Sequence, residues 1–204
     1  VQFFKEYYGF SDLEAAVRFG VMLQERHIIH HVTKDHVFGD TNYFFRLQPY
    51  QNPRILNSFR VWTDRVDPDS MSLLARLNKL MGSILSNVTD SNGNIDYLSA
   101  SKDPKYITFE ENVCELQGVS MTLMDNKTKL AFGINLYNLM IKYAFVKLGI
   151  PGTNLQRYCF FDDVSFDIGG DILSFSDLEN GVLRGNKKPP AHLNAPFSKK
   201  DPKR

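Results

Sequence analysis

The sequence predicts an α+β chain: a helix-plus-hairpin unit, a short connector, then a mainly helical domain with a small antiparallel hairpin. Three observations predict it. The stretch from Ala131 to Pro151 carries Ile134, Leu136, Tyr137, Met140, Ile141, Ala144, Phe145 and Leu148 nearly all round a helical cylinder, as a helix inside a domain does. Residues 70–88 place Leu73, Leu74, Leu77, Leu80, Met81, Ile84, Leu85 and Val88 at helical spacing. Around Gly169-Gly170 the apolar residues alternate, as strands joined by a tight turn do.

Taken in order, Ser11-Asp-Leu-Glu14 reads as a capping box. It opens a helix whose apolar side holds Leu13, Ala16, Val17, Gly20 and Leu23. Ile28 to Val32 and Asn42 to Leu47 are β-prone and flank a polar turn, so helix, strand, turn, strand follow one another in residues 1–48. Pro49, Asn52 and Pro53 punctuate a connector over 49–69. The domain of residues 70–204 opens with the helix over 70–88. Asp90 to Asn94 forms a turn, a further helix runs from about Phe109 to Leu123, and the helix of Ala131 follows. Tyr158, Phe160, Val164, Phe166 and Ile168 recur mostly at period two and predict a strand. Ser176-Asp-Leu-Glu179 is a second capping box, opening a short helix that stops near Gly185. Residues 187–204 are basic and proline-rich, a loop or tail.

Composition narrows the function classes. A hydrophobic share of 43% and a charged share of 23% are those of an ordinary globular protein. The net charge of +1 exerts no global pull on nucleic acid or acidic membranes. Cys114 and Cys159 are far apart and form no Cys-x-x-Cys pair, which fits reduced thiols in a cytoplasmic compartment. No apolar run reaches the roughly 20 residues of a membrane span. The chain lacks an initiator Met, starts mid-pattern, and reads as a piece of a longer protein.

Glu14 to Val17, Gly20, Leu23, His30 to Val32, His36 to Phe38, Asp40 and Tyr43 to Arg46 carry a helix-plus-hairpin signature. On it, residues 1–48 resemble the C-terminal part of a DEP domain, a winged-helix-like module. The resemblance implies intracellular signal transduction and docking to membranes or receptor tails. The charges argue against DNA recognition: these residues hold five Lys or Arg against six Asp or Glu, and phosphate binding needs clustered cations.

A second set of motifs runs in order through Gly93 to Tyr97, Glu115 to Gln117, Leu130 to Phe132, Ile134 to Asn138 and Gly149 to Pro151. It continues through Ile168 to Gly170, Ser176 to Glu179, and Leu183-Arg184. On these, residues from about 84 to 204 look like the domain-of-unknown-function family catalogued as 547. Gly133 departs from a usual aromatic, and Tyr143 stands where plant-type members often carry His. Members continue past an Asp-Pro-Arg element into a His- and Cys-rich segment, whereas this sequence ends at Asp201-Pro-Lys-Arg204.

Asn135, Tyr137, Asn138 and Arg184 are the candidate binding residues. Asn135 and Asn138, three apart on a buried helix, would need satisfied hydrogen bonds, met either in a pocket or in a core network that reaches the Gly169-Gly170 hairpin. The network is the commoner solution. Glu179 and Arg184 already have structural jobs, Glu179 in the capping box and Arg184 at the helix C-terminus. A Cys159 nucleophile with His192 as base is disfavoured, because Asp162, Asp163 and Asp167 would raise the thiol pKa. Cys114 reads as a small buried hydrophobe.

His27, His30, His31 and His36 cluster, but His30 and His31 point to opposite faces of a strand and do not converge on zinc. Asp90 to Asp96 imitates a calcium loop without its Gly and its bidentate Glu. We expect no metal, no cofactor and no catalytic residue in this chain. The expected role is that of a signalling or scaffold protein with a protein partner, in the cytoplasm or peripherally at an anionic membrane. Its oligomeric state is left open. The alternative is part of a cysteine-hydrolase-like or redox-associated enzyme with its reactive Cys and His beyond residue 204.

Overall fold

The computed structural model describes residues 1–26, 28–32, 36–47, 54–62, 69–190 and 192–201. His27, Pro49, Asn52, Pro53, Lys203 and Arg204, which enter the sequence reading, lie outside the described residues. The architecture is α+β, mostly helical, with two antiparallel two-stranded hairpins.

The N-terminal unit contains α1 (Gln2–Tyr8), α2 (Leu13–Glu25), β1 (Ile29–His31) and β2 (Phe45–Leu47). The β1–β2 pairing is antiparallel, with His30 opposite Arg46. Helix α2 starts one residue later than the capping box predicts. Asp12 is its N-cap, accepting from the Ala15 amide at 2.6 Å, and Glu14 turns outward to pair with Arg18 at 2.6 Å. Gly20 lets the Phe38 ring lie directly on α2, since a Cβ there would come within 2.1 Å of it. His30 and His31 are both buried, because strand neighbours on opposite faces are each covered, and the His31 ring packs on His36 and Tyr43. Helix α1 has no buried residue, and its Phe3 and Tyr7 rings stack at 5.1 Å in the open.

The helical module is built on α3 (Ser70–Ser86), α5 (Pro104–Asn112) and α6 (Asn126–Leu148), with the short α4 (Tyr97–Ala100) beside them. Helix α3 keeps the predicted range to within two residues, and its leucine stripe is buried. The Asp90 turn is an Asx-type loop: Asp90 Oδ1 accepts the Asn92 and Asn94 amides, and Gly93 takes φ 86°. The helix expected from Phe109 to Leu123 instead ends at Asn112. It passes into tighter 3₁₀ turns at Val113–Gly118 and Met121–Leu123.

Helix α6 is less enclosed than its sequence implies. Lys127, Ala131, Ile134, Asn135 and Asn138 form a solvent stripe. Phe132, Leu136, Leu139, Met140, Tyr143 and Ala144 face the core. Asn135 and Asn138 are therefore exposed and do not bracket the interior. Asn135 satisfies its own amide on the Ala131 carbonyl one turn back, at 2.9 Å, and needs no network. The buried polar group of this helix is Tyr143, fully enclosed among Phe109 and Phe166. Its hydroxyl donates to Glu110 Oε1 at 2.7 Å, lies 3.0 Å from the Leu56 carbonyl oxygen, and accepts from Lys147 Nζ at 3.0 Å.

Tyr158 and Phe160 fall on a helix, α7 (Asn154–Asp163), where the sequence predicts a strand. The reason is the capping box Thr153-x-x-Gln156, which sets the helix start just after Pro151-Gly152: Thr153 Oγ1 accepts the Gln156 amide and Gln156 Oε1 accepts the Thr153 amide. The strand is confined to β3 (Ser165–Ile168), paired with β4 (Asp171–Ser174). Gly169 takes φ 65° and packs on the Val119 carbonyl, so the hairpin turn rests on the 3₁₀ segment and not on α6.

Residues 54–62 are stitched to this module. Beside β3 the Leu56 amide donates to the Ser165 carbonyl, and the Ser165 amide donates to the Arg54 carbonyl. Asn57, fully buried, pairs its amide with both backbone groups of Asp167 at 2.8 Å. Gln117 donates to the Asn57 and Arg60 carbonyls at 2.7 Å and accepts the Trp62 amide. The described part of the C-terminal stretch is likewise held down: Asn186 clamps both backbone groups of Phe197, whose ring covers Gly181. One buried aromatic thus anchors a segment that composition alone marks as a loose tail.

Candidate functional site

The second capping box forms two residues earlier than the sequence reading places it. Ser174 Oγ accepts the Asp177 amide at 3.0 Å, and Asp177 Oδ2 accepts the Ser174 amide at 3.0 Å. The chain then widens into a π turn over Asp177–Leu183, with the Arg184 amide reaching back to the Glu179 carbonyl at 2.9 Å. Such widened turns recur at functional sites because they redirect side chains out of helical register. Here the shift releases Glu179 from capping.

Glu179 instead joins two of the predicted residues. Tyr137 Oη donates to its Oε2 at 3.4 Å, and Arg184 Nη1 stands 3.7 Å from its Oε1. Burial, reinforced by the Glu179 charge, pushes the Tyr137 phenol up to about 12, so it stays a hydrogen-bond donor at neutral pH. Arg184 is oriented by Asn180, whose Oδ1 accepts at 2.9 Å while its amide nitrogen bonds the Ser176 carbonyl. Asn180 is buried, so the guanidinium has a fixed root.

Glu179, Asn180 and Arg184 form one wall of a cleft of about 310 Å³. It is also lined by Arg157, Tyr158, Phe161 and Asp162 of α7, by Ser176, and by Pro190 and His192. His192 Nε2 is 3.2 Å from Asp162 Oδ2, and its ring stacks on Tyr158. The Tyr158 hydroxyl donates to the Pro190 carbonyl at 3.0 Å. The Asp162–His192 pair escapes sequence reasoning because its members meet only through tertiary packing. No signal in the local pattern around either residue announces it.

Of the predicted residues, then, Tyr137 and Arg184 are brought together through Glu179, while Asn135 and Asn138 are not part of the cleft. Cys159 is exposed and lines a separate cleft of about 460 Å³ with Arg54, Pro151 and Asp163. It sits one position along α7 from Tyr158, hence on a different face, and makes no hydrogen bond with His192. Cys114 is buried against the Glu110 carbonyl, and burial pushes its thiol up to about 11. Neither sulfur is hydrogen-bonded to the His–Asp pair, and neither lines its cleft. Among the described residues no three His, Cys, Asp or Glu side chains converge as a metal site. No described helix is long and apolar enough to cross a membrane.

Residues 121–204 match the family model described as "Protein of unknown function, DUF547", which covers α6, α7, the β3–β4 hairpin and the whole cleft. No curated protein and no solved structure matches the chain significantly.

Proposed function

We propose that this chain is the recognition part of an intracellular signalling or scaffold protein, working by contact with a protein partner or an anionic membrane surface. The observation that carries the reading is the makeup of the cleft. It gathers rings and oriented charges around a ligand-sized space while both thiols stand outside it. Nucleophilic catalysis needs a nucleophile within hydrogen-bond reach of its base, and a cleft without that contact is better suited to holding something than to cleaving it. The N-terminal unit supports the same role. Its helix-and-hairpin order carries the DEP resemblance, and Phe3, Tyr7 and Phe44 are each more than half exposed, the kind of apolar surface that marks a contact face. Lys187, Lys188, Lys199 and Lys200 add cations worth about 1 kcal/mol each near an anionic bilayer.

Sedimentation with anionic vesicles and a pulldown from cell extract test this reading. Binding in either, lost when Phe3 and Tyr7 are changed to Ser, is the expected result. Absence of both lipid and partner binding counts decisively against it.

The Asp162–His192 pair favours a second reading, in which the chain supplies the base and its orienting carboxylate to an enzyme of cysteine-hydrolase kind. The thiol would come from outside this sequence. A cysteine-directed probe that labels the full-length protein outside Cys114 and Cys159, and fails to label it after His192→Gln, would support that reading over the first.

A further inference from the structure

We propose that the cleft between α7 and the π turn binds a small soluble oxyanion carried on a flat ring, with Arg157 and Arg184 as its charged contacts. The inference rests on the recognition reading of this cleft and names the chemistry recognised.

Two arginines line one space, Arg157 on α7 and Arg184 at the end of the π turn. Arg157 makes no ion pair among the described residues. Arg184 spends one nitrogen on Asn180 at 2.9 Å and keeps only a loose 3.7 Å contact with Glu179. The rest of its planar fork is free for the paired acceptor oxygens of a phosphate or carboxylate. The two carboxylates of the cleft are both engaged: Asp162 with His192, and Glu179 with Tyr137 and Arg184. Neither neutralises Arg157. Asn180 is buried and bonded at both ends of its amide, so one contact is organised before any ligand arrives.

The cleft is also aromatic. Phe161 and the stacked Tyr158–His192 pair line it, and such faces accept a ring. About 310 Å³ is room for a small molecule and not for a folded chain.

The test is isothermal titration of the whole 204-residue chain with phenyl phosphate, alongside inorganic phosphate, phenol and anionic vesicles. Saturable binding of phenyl phosphate is expected, tighter than inorganic phosphate, with none for phenol. Arg157→Gln and Arg184→Gln should each weaken it about tenfold, and both chains should unfold at the temperature of the parent. No binding of phenyl phosphate, or affinity unchanged in both variants, overturns the proposal. So does arginine-dependent binding seen with vesicles alone, which would make the ligand a lipid headgroup. Partner capture that persists while phenyl phosphate fails to bind overturns this inference and leaves the recognition reading standing.

Discussion

Tyr143 is the residue on which the core's polar chemistry converges. Its hydroxyl sits among Glu110, Lys147 and the Leu56 carbonyl with no access to water. Changing it to Phe leaves these groups short of a partner, which costs about 1–3 kcal/mol. Urea denaturation of Tyr143→Phe should show that loss, whereas Asn135→Ala and Asn138→Ala, on the solvent stripe, should stay within about 0.5 kcal/mol of the parent. The two cysteines divide in the same way. Cys159, exposed, should react with a disulfide reagent in the native chain, and Cys114, buried and held as the thiol, only on unfolding. A spectrophotometric thiol count before and after denaturant checks this; two fast thiols would contradict the packing around Cys114.

Among the elements, α3, the body of α6 and the Gly169-Gly170 hairpin were legible because one strong local signal fixes each: a leucine stripe, a helical run, a pair of glycines. Helix α7 was misread because Tyr158, Phe160, Val164 and Phe166 alternate, and the Thr153-x-x-Gln156 box that decides the matter lies just upstream. At Ser174 two overlapping boxes compete. The end of β4 selects the earlier one, which frees Glu179 for the cleft. Half of the candidate site, Tyr137 and Arg184, was therefore reachable from sequence; the Asp162–His192 half was not, since it exists only once α7 is docked. The hairpin turn yields a contrast that separates sterics from backbone preference. Gly169→Ala puts a Cβ 2.1 Å from the Val119 carbonyl oxygen at φ 65° and should cost more than about 2 kcal/mol, whereas Gly170→Ala, at φ 91° with nothing within 4 Å, pays only the backbone strain of about 1 kcal/mol. Equal urea midpoints for the two would show that the turn does not rest on the 3₁₀ segment.

For the molecule as a whole, the buried acids set an alkaline limit. Tyr143 and Tyr106 are held above the ordinary phenol range by burial and by Glu110, Tyr137 at about 12, and Cys114 at about 11. Each is raised in the fold, so the stability it contributes is fully present below the unfolded values of 9.0 to 10.0. That stability is lost as pH climbs toward the folded values. The melting temperature should be flat with respect to these groups up to about pH 9 and fall steadily above about pH 10. A melting temperature that held through pH 11 would mean that these side chains are solvated.

The side-chain stitching of residues 54–62 has a practical corollary. The Asn57 side chain substitutes for strand backbone at the edge of β3, while Gln117 of the 3₁₀ segment holds the backbone of residues 57–62 in place. A recombinant piece begun at Ser70 would strip Gln117 and the Asp167 backbone of those partners and uncover the underside of the core where Leu56 sits. A piece begun at Arg54 keeps them. Limited proteolysis should accordingly spare the bonds within 54–62, and the shortest stable fragment it leaves should begin ahead of Ile55.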